Sequence, residues 1–210
     1  MLVTGIKSKP VYAPLRADMR GRSHLMLGVG EGEAPLLRVL REMQSQAPQA
    51  LGATRVLLAP GLSANGAQQP TPDARVELDA LALQEIRSFG DVPALLAEFK
   101  SMLERALMGT RLYVAGPESF IGLAMKIALE FNLNKDEIRA EQVGSLARRV
   151  HCIHCRAITE NVRTNIVQCV DCNRWLLVRD HYSRRLAAYM GVMVDAEVPG
   201  ELPKVAEVFL

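Results

Sequence analysis

Four cysteines, arranged as two Cys-x-x-Cys pairs, are the residues whose type and spacing predict chemistry most directly. Cys152 and Cys155 form one pair, Cys169 and Cys172 form the other, and thirteen residues separate the pairs. Each pair lets two thiolates curl around one ion, and the intervening segment can form a hairpin that returns the second pair opposite the first. The spacing therefore predicts tetrahedral coordination of one metal ion by four sulfurs, and zinc suits such soft ligands.

The same four sulfurs leave other occupants open. Iron in a rubredoxin-like site, or a shared iron-sulfur cluster, also uses cysteine ligands. Two disulfides are disfavoured, because we expect a cytoplasmic chain, where thiols stay reduced. A zinc ion with four protein ligands has no open position for water or substrate, which predicts a structural metal. His151 and His154 flank the first pair, and we expect both to lie outside the coordination shell.

A glycine-rich turn is the second candidate site. Gly28, Gly30 and Gly32 lie between an apolar run and a helical pattern, where backbone amides at a helix N-terminus can bind a phosphate. The dinucleotide-binding fingerprint requires a further glycine or alanine three residues after the second glycine, and that position holds Glu33. Glu31 adds another carboxylate, and two carboxylates here would repel a pyrophosphate.

Apolar runs and helical patterns alternate through the first two thirds of the chain. Strands are predicted at 24–29, 55–59 and 111–115, with a weaker one at Val76 and Leu78. Helices are predicted at about 36–43, 91–107 and 120–131, and a loop at 61–72. Such alternation indicates parallel βαβ units with helices on both faces of a sheet, so the predicted class is α/β.

A smaller β module surrounds the cysteines. Runs at 158–162, 164–167 and 175–178 are rich in β-prone residues and fall where the strands of a zinc ribbon would lie. After the ribbon, a docking helix is predicted, with Leu186, Tyr189 and Met190 on one face and Asp180 or Ser183 as its cap. The cluster of Asp180, His181 and Tyr182 supplies no nucleophile or paired carboxylate, so we expect it to be structural or interfacial.

Length and composition agree with one domain and a small module. The chain has 210 residues, of which 49% are hydrophobic, enough for a packed core. The predicted division is an N-terminal arm at 1–23, an α/β domain at 24–145, a zinc ribbon at 146–180, and a docking helix with an extended tail at 181–210.

Net charge and hydropathy limit the classes of partner. The formal charge is +2, no apolar run is long enough to cross a bilayer, and only 5% of residues are aromatic. We therefore expect a cytoplasmic chain without a membrane or nucleic-acid partner. Eight arginines between Arg148 and Arg185 keep a zinc-ribbon nucleic-acid binder open as an alternative, although they equally suit a protein partner.

Two segments, Gly28 to Leu40 and Arg111 to Gln142, resemble the nicotinamide-binding half of ferredoxin-reductase-like flavoproteins. The resemblance implies a parallel-sheet fold in which a glycine turn faces the dinucleotide phosphates. In that family a later strand ends in Cys-Gly-Pro beside the nicotinamide, and here Ala115 stands in the cysteine's place. It also implies that no flavin binds to this chain, because its flavin-binding half is lacking. The cofactor-binding residues implied by the resemblance are Gly30, Gly32, Ala34, Pro35, Gly116 and Pro117.

The sequences CIHC, CVDC, VRDHYSRRLAAYMGV and DAEVPGE together resemble the small subunit of bacterial dimethylamine monooxygenase. The resemblance implies a multisubunit, NAD(P)H-dependent enzyme that converts dimethylamine and oxygen to methylamine and formaldehyde. It further implies a hetero-oligomer, with haem in a catalytic partner subunit and flavin and iron-sulfur electron transfer in another. This chain would then be an accessory subunit that is not catalytic by itself. An alternative is that its α/β domain binds a ligand, either NAD(P)H or a folate that accepts formaldehyde.

Overall fold

The computed structural model describes residues 8–63, 66–68, 72–198 and 200–210. The chain divides into two compact units. The first unit, the α/β unit, runs from Tyr12 to Gly144, and the second, the cysteine unit, combines the N-terminal residues up to Val11 with Ser145–Leu210. The first unit thus begins at Tyr12 rather than at residue 24, because the segment before the first strand packs against it.

The α/β unit contains five parallel strands and a short hairpin. Its strands are β1 (Ser23–Val29), β2 (Thr54–Ala59), the hairpin β3 (Gly61–Ser63) and β4 (Gly66–Gln68), β5 (Glu85–Ser88), β6 (Thr110–Gly116) and β7 (Ile138–Gln142). The parallel sheet has the order β5-β2-β1-β6-β7. Because the chain runs outward from β1 in one direction and then returns to build β6 and β7 on the other side, β1 and β6 flank the topological switch point.

Four helices connect these strands. They are α1 (Glu33–Gln46), α2 (Pro72–Asp79), α3 (Val92–Glu104) and α4 (Glu118–Glu130). Asp91 caps α3, since the Ala94 backbone N–H donates to Asp91 Oδ1 at 2.8 Å. Among the described residues, no helix is long and apolar enough to cross a bilayer.

Each face of the sheet carries its own buried core. On one face, α3 and α4 pack through Phe99 and Phe120 against Leu27 and Val114. On the other, α1 and α2 pack through Leu36 and Leu78 against Met26 and neighbouring strand residues. Helices on both faces explain why the central strands are apolar runs rather than alternating ones. The predicted α/β class with a small β region is confirmed.

The segment before β1 is packed rather than a free arm. Leu15 is buried in the α1 face of the core, and its backbone N–H donates to Glu141 on β7. The Asp18 backbone N–H donates to the Tyr113 hydroxyl oxygen at 2.8 Å. The prediction of an extended arm therefore missed a segment that covers part of the sheet without regular secondary structure.

Two predicted elements in the α/β unit were wrong or incomplete. Val76 and Leu78 lie in helix α2, where residues two apart point in nearly opposite directions, so Leu78 is buried while Val76 is 69% exposed. The next strand after β2 in the parallel sheet is β5, whose register runs beside β2. The predicted loop at 61–72 contains β3 and β4, and residues 64–65 and 69–71 lie outside the described part.

The cysteine unit is a five-stranded sheet. Its strands are β8 (Arg148–Cys152), β9 (Ile158–Val162), β10 (Ile166–Gln168), β11 (Trp175–Ser183) and β12 (Ala188–Met193), in the order β10-β11-β12-β8-β9. Neighbouring strands are antiparallel except for β12 and β8, which are parallel. A small core that includes Val150, Leu176, Tyr189 and two of the cysteines lies inside this unit.

The predicted docking helix at 181–210 was wrong. Tyr189 and Met190 lie on β12, and β12 pairs with β11 on one side and with β8 on the other. A helix would forfeit both ladders of backbone hydrogen bonds. Gly191 permits the close packing of this central strand, because a Cβ there would lie 2.7 Å from Val150 Cγ1. The β sheet therefore continues past the predicted end of the ribbon at residue 180.

Candidate metal centre

Two similar turns hold the four cysteines. In the first turn, the Cys152 backbone N–H donates to the Ala157 carbonyl at 2.9 Å, and the Arg156 N–H donates to the Cys152 carbonyl at 3.0 Å. In the second, the Cys169 N–H donates to the Arg174 carbonyl at 2.9 Å, and the Asn173 N–H donates to the Cys169 carbonyl at 3.2 Å. Each turn thus closes with the same pair of bonds at the same spacing.

The residue after each second cysteine adopts a left-handed backbone. Arg156 has φ 69° and Asn173 has φ 58°. Asparagine tolerates this region, whereas arginine is uncommon there and pays for it with strain of about 1 kcal/mol. Two such residues at matching positions show that both turns curl in the same way, which places the two thiols of each pair on the inside of the curl.

The four sulfurs converge at one point. Every Sγ lies within 4.8 Å of every other, Cys152 Sγ lies 3.8 Å from Cys172 Sγ, and Cys155 Sγ lies 3.5 Å from Cys169 Sγ. Four ligands at the usual zinc–sulfur distance of about 2.3 Å define a tetrahedron whose edges are about 3.8 Å long. All four thiols are free rather than joined as disulfides. The donor set and its spacing therefore fit a tetrahedral metal ion.

At Cys172 the surroundings favour the thiolate form that a metal requires. The backbone N–H of Arg174 contributes most to lowering the pKa of Cys172 to about 6. The Arg174 guanidinium acts in the same direction, whereas partial burial of the thiol opposes the shift. Cys152 and Cys169 are buried, whereas Cys155 and Cys172 are partly exposed. A metal ion held here would be shielded on one side by the core of the unit and would lie near solvent on the other.

A zinc ion held here would supply structure rather than catalysis. Cys152, Cys155, Cys169 and Cys172 would hold the ion, and four protein ligands leave no position for water or substrate. His151 and His154 are not part of the cluster of ligand atoms in the described chain. The ion would join the β8–β9 turn to the β10–β11 turn. These turns belong to the two outer strand pairs of the sheet, and the core of the unit is small.

In the predicted cluster of Asp180, His181 and Tyr182, the first and last residues make structural contacts. Asp180 accepts from Arg148 at 2.7 Å, and Tyr182 packs edge-on against Tyr189 at 5.1 Å between ring centres. His181 is exposed. The register of β11 with β12 shifts between Arg179 and Tyr182, so Asp180 and His181 lie in an irregular part of the strand.

The resemblance-based cofactor residues lie at the switch point of the parallel sheet. The 3₁₀ turn Gly30–Gly32 follows β1, and Gly116 and Pro117 end the neighbouring strand β6. A Cβ on Gly32 would lie 2.2 Å from the Ala115 carbonyl oxygen, so the turn rests directly on the end of β6. The structure therefore brings Gly30, Gly32, Gly116 and Pro117 together, with Ala34 and Pro35 on the first turn of α1.

The donor set at this crevice does not fit a pyrophosphate. Glu31 lies within the glycine turn, Glu33 is the first residue of α1, and Glu118 is the first residue of α4. Glu33 and Glu118 are buried. Arg38, one turn further along α1, is paired with Glu141. A dinucleotide would bring two further negative charges to a crevice that already has three glutamates.

Sequence reasoning missed a buried polar network around Asp18. Its carboxylate bonds Arg20 at 2.8 Å, Arg111 at 3.1 Å and Arg139 at 3.3 Å. The Arg20 side chain holds the pKa of Asp18 well below its usual range. Arg111 acts in the same direction, whereas burial of the carboxylate opposes the shift. Burial lowers the pKa of His24, whose ring lies beside Tyr113. Partners more than ninety residues away in sequence gave no local signal for this network.

Two domains of one protein family match this chain. Residues 4–138 match the N-terminal domain described as dimethylamine monooxygenase subunit DmmA-like, and residues 149–192 match the C-terminal domain of the same description. The chain belongs to the dimethylamine monooxygenase subunit DmmA-like family. The resemblance expected from the cysteine motifs and from the run after them is confirmed.

One characterised relative and several solved structures are similar to this family member. The heme-dependent oxidative N-demethylase delta subunit of Ectopseudomonas mendocina (strain ymp) is 33% identical over 144 residues, which cover 66% of this chain and 81% of that one. A ferredoxin reductase in carbazole 1,9a-dioxygenase is 16% identical with a TM-score of 0.44, covering 61% of this chain and 36% of that chain. The flavohem-like FAD/NAD-binding domain of nitric oxide dioxygenase from Vibrio cholerae is 15% identical with a TM-score of 0.42, covering 60% of this chain and 53% of that chain.

Proposed function

We propose that this chain is an accessory subunit of a haem-dependent monooxygenase that demethylates dimethylamine. In that reaction dimethylamine, oxygen and NAD(P)H give methylamine and formaldehyde. The observation that carries the proposal is membership of the DmmA-like family across both units. The four converging cysteines support it, because they would complete the shell of a bound metal ion. The N-demethylase delta subunit from Ectopseudomonas mendocina supports the same reaction class.

The described residues support an organising role. The cysteine centre would be structural, and the Asp180 carboxylate is engaged in an ion pair with Arg148. The switch-point crevice carries three glutamates where a dinucleotide would need amides free for phosphate. Haem chemistry then belongs to a catalytic partner subunit, and flavin and iron-sulfur electron transfer belong to a reductase partner. The cysteine unit, with its exposed arginines, would contact those partners within a hetero-oligomer.

Co-expression tests this proposal. The chain should co-purify with the haem-containing and reductase subunits, and the complex should oxidise NAD(P)H only when dimethylamine is present. Omission of this chain should lower both the yield of the complex and its dimethylamine-dependent activity. Full activity in a complex that lacks the chain would contradict the proposal.

A second candidate function is binding of a ligand by the α/β unit within the same complex. The specific observation in its favour is the meeting of the Gly30–Gly32 turn with Gly116 and Pro117 at the switch point. The ligand would be NAD(P)H, or a folate that accepts formaldehyde. Calorimetric titration of the complex with NAD(P)H and with tetrahydrofolate tests it, and saturable binding lost on removal of this chain would favour it over a purely organising role.

A further inference from the structure

Two helices begin at the switch point, one on each side of the sheet. Helix α1 follows β1 and packs on the face that contains Leu36, whereas α4 follows β6 and packs on the face that contains Phe120. Strands β1 and β6 are hydrogen-bonded neighbours, with Gly28 opposite Ala115. The two helix N-termini therefore flank one crevice at the carboxyl end of the sheet, which is where this class of fold places anionic ligands.

A buried carboxylate stands at each of these helix N-termini. Glu33 is the first residue of α1 and is 5% exposed, and Glu118 is the first residue of α4 and is 8% exposed. Acidic side chains are rarely this buried unless they are engaged, and each of these residues has an interaction partner. The positive end of a helix dipole stabilises a carboxylate as it would a phosphate oxygen.

The crevice is also closed by backbone. The Gly32 Cα faces the Ala115 carbonyl so closely that a methyl group there would overlap it, with 2.2 Å to the oxygen. Beyond β6, the Val143 N–H donates to the Gly116 carbonyl at 3.0 Å, and Gly144 approaches the Glu31 carboxylate. Glycines at Gly32 and Gly116 are thus explained by packing of the chain against itself, without a bound phosphate.

We infer that the glutamates at this crevice, Glu33 and Glu118 together with Glu31, act as built-in anions that exclude phosphate, so that the α/β unit does not bind a nicotinamide dinucleotide there. The inference excludes one form of the second candidate function and leaves the accessory role independent of it. A dinucleotide would bring two phosphate charges to helix N-termini whose first residues are buried glutamates, and to Glu31 in the glycine turn.

Direct titration is the first test. The full chain, titrated calorimetrically with NADPH, NADH and inorganic pyrophosphate, should show no saturable binding, which means a Kd weaker than about 1 mM. Saturable binding of NADPH with a Kd in the micromolar range would overturn the inference.

The second test measures the built-in anions themselves. Glu118→Gln should lower the Tm by about 2 to 6 °C at low salt, because it removes a charge from a helix N-terminus. Glu130→Gln, at the exposed C-terminal residue of the same helix, should leave the Tm unchanged or raise it slightly. Glu33→Gln should behave like Glu118→Gln. Equal Tm values for the Glu118 and Glu130 variants would overturn the inference, and if Glu118→Gln fails to fold, the titration of the wild-type chain decides.

Discussion

The guanidinium carbon of Arg148 lies 3.8 Å from the centre of the Phe209 ring and 3.8 Å from the centre of the Tyr189 ring. The side chain is only 6% exposed and also donates to Asp180 at 2.7 Å. Phe209 is held in place because its backbone N–H donates to the Arg163 carbonyl at 2.9 Å. A stacked, ion-paired arginine thus joins the first strand of the cysteine unit to its C-terminal residues.

Replacing Arg148 by lysine should destabilise the cysteine unit by about 1 to 3 kcal/mol. Lysine keeps the charge but loses the planar group that stacks on two rings and the directed bond to Asp180. Urea denaturation would measure the loss. Arg185→Lys, at an exposed position in the β11–β12 turn, is the matched control and should stay within about 0.5 kcal/mol of wild type. Equal stability of the two variants would show that the stacking contributes nothing.

Replacing Cys152 by serine should abolish metal binding and unfold the cysteine unit while the α/β unit stays folded. Structural zinc sites contribute about 10 to 16 kcal/mol of apparent binding free energy in small domains. Limited proteolysis should then cleave within 145–210 and spare 12–144. His154→Ala, at an exposed position between the first two cysteines, should keep the metal. Metal loss in the histidine variant, or retention in Cys152→Ser, would contradict the four-cysteine assignment.

Replacing Gly32 by alanine should destabilise the α/β unit by about 3 kcal/mol or more. The added methyl group would lie 2.2 Å from the Ala115 carbonyl oxygen, and both groups belong to backbone that cannot rotate away. Gly52→Ala is the control, since nothing lies within 4 Å of a Cβ at Gly52. We expect a change within about 0.5 kcal/mol for that control. Tolerance of alanine at Gly32 would mean that the turn lies farther from β6 than described.

The α/β unit should lose stability as the pH falls from about 7 to about 5. Burial, with a contribution from Arg111, lowers the pKa of His24 below its ordinary value of 6.5. The unfolded chain therefore takes up a proton near pH 6.5 while the folded chain still resists it, and unfolding is favoured by up to about 1.4 kcal/mol per pH unit.

The variant His24→Asn isolates this effect. Urea midpoints measured by circular dichroism should depend less on pH between 5 and 7 in the variant than in wild type. Asp18 also makes the stability depend on pH, but in a lower range. Its pKa is lowered in the folded chain, so its contribution to stability is lost only as the pH falls below its ordinary value of 3.8. The same pH slope in both proteins would exclude His24 as its source.

The sequence predicted the cysteine cluster correctly because its geometry is local. Two residues between Cys152 and Cys155 suffice for one curl, and a second pair at hairpin distance closes the cluster. The same holds for strands β1, β2 and β6, whose apolar runs are long enough to identify buried parallel strands. Here local pattern and tertiary packing point the same way.

The predictions from the sequence were wrong where the pairing partners lie far apart along the chain. Tyr189 and Met190 lie in a strand because β8 and β11 pair with it on both sides, and neither partner is visible from the helical spacing of apolar residues. Leu15 is buried by contacts with β7 and α1, which lie far along the chain. The backbone contact between Gly32 and Ala115 is equally non-local and gave no signal in the sequence.

Metal analysis of the purified chain tests most directly the claim that its four cysteines form a structural centre. Elemental analysis of protein purified without added metal should give one zinc per chain and no visible absorption, with all four thiols protected until a chelator is added. Iron with visible charge-transfer absorption would make the centre a redox site. A metal-free chain with two disulfides would contradict the account of an accessory subunit built around a structural metal.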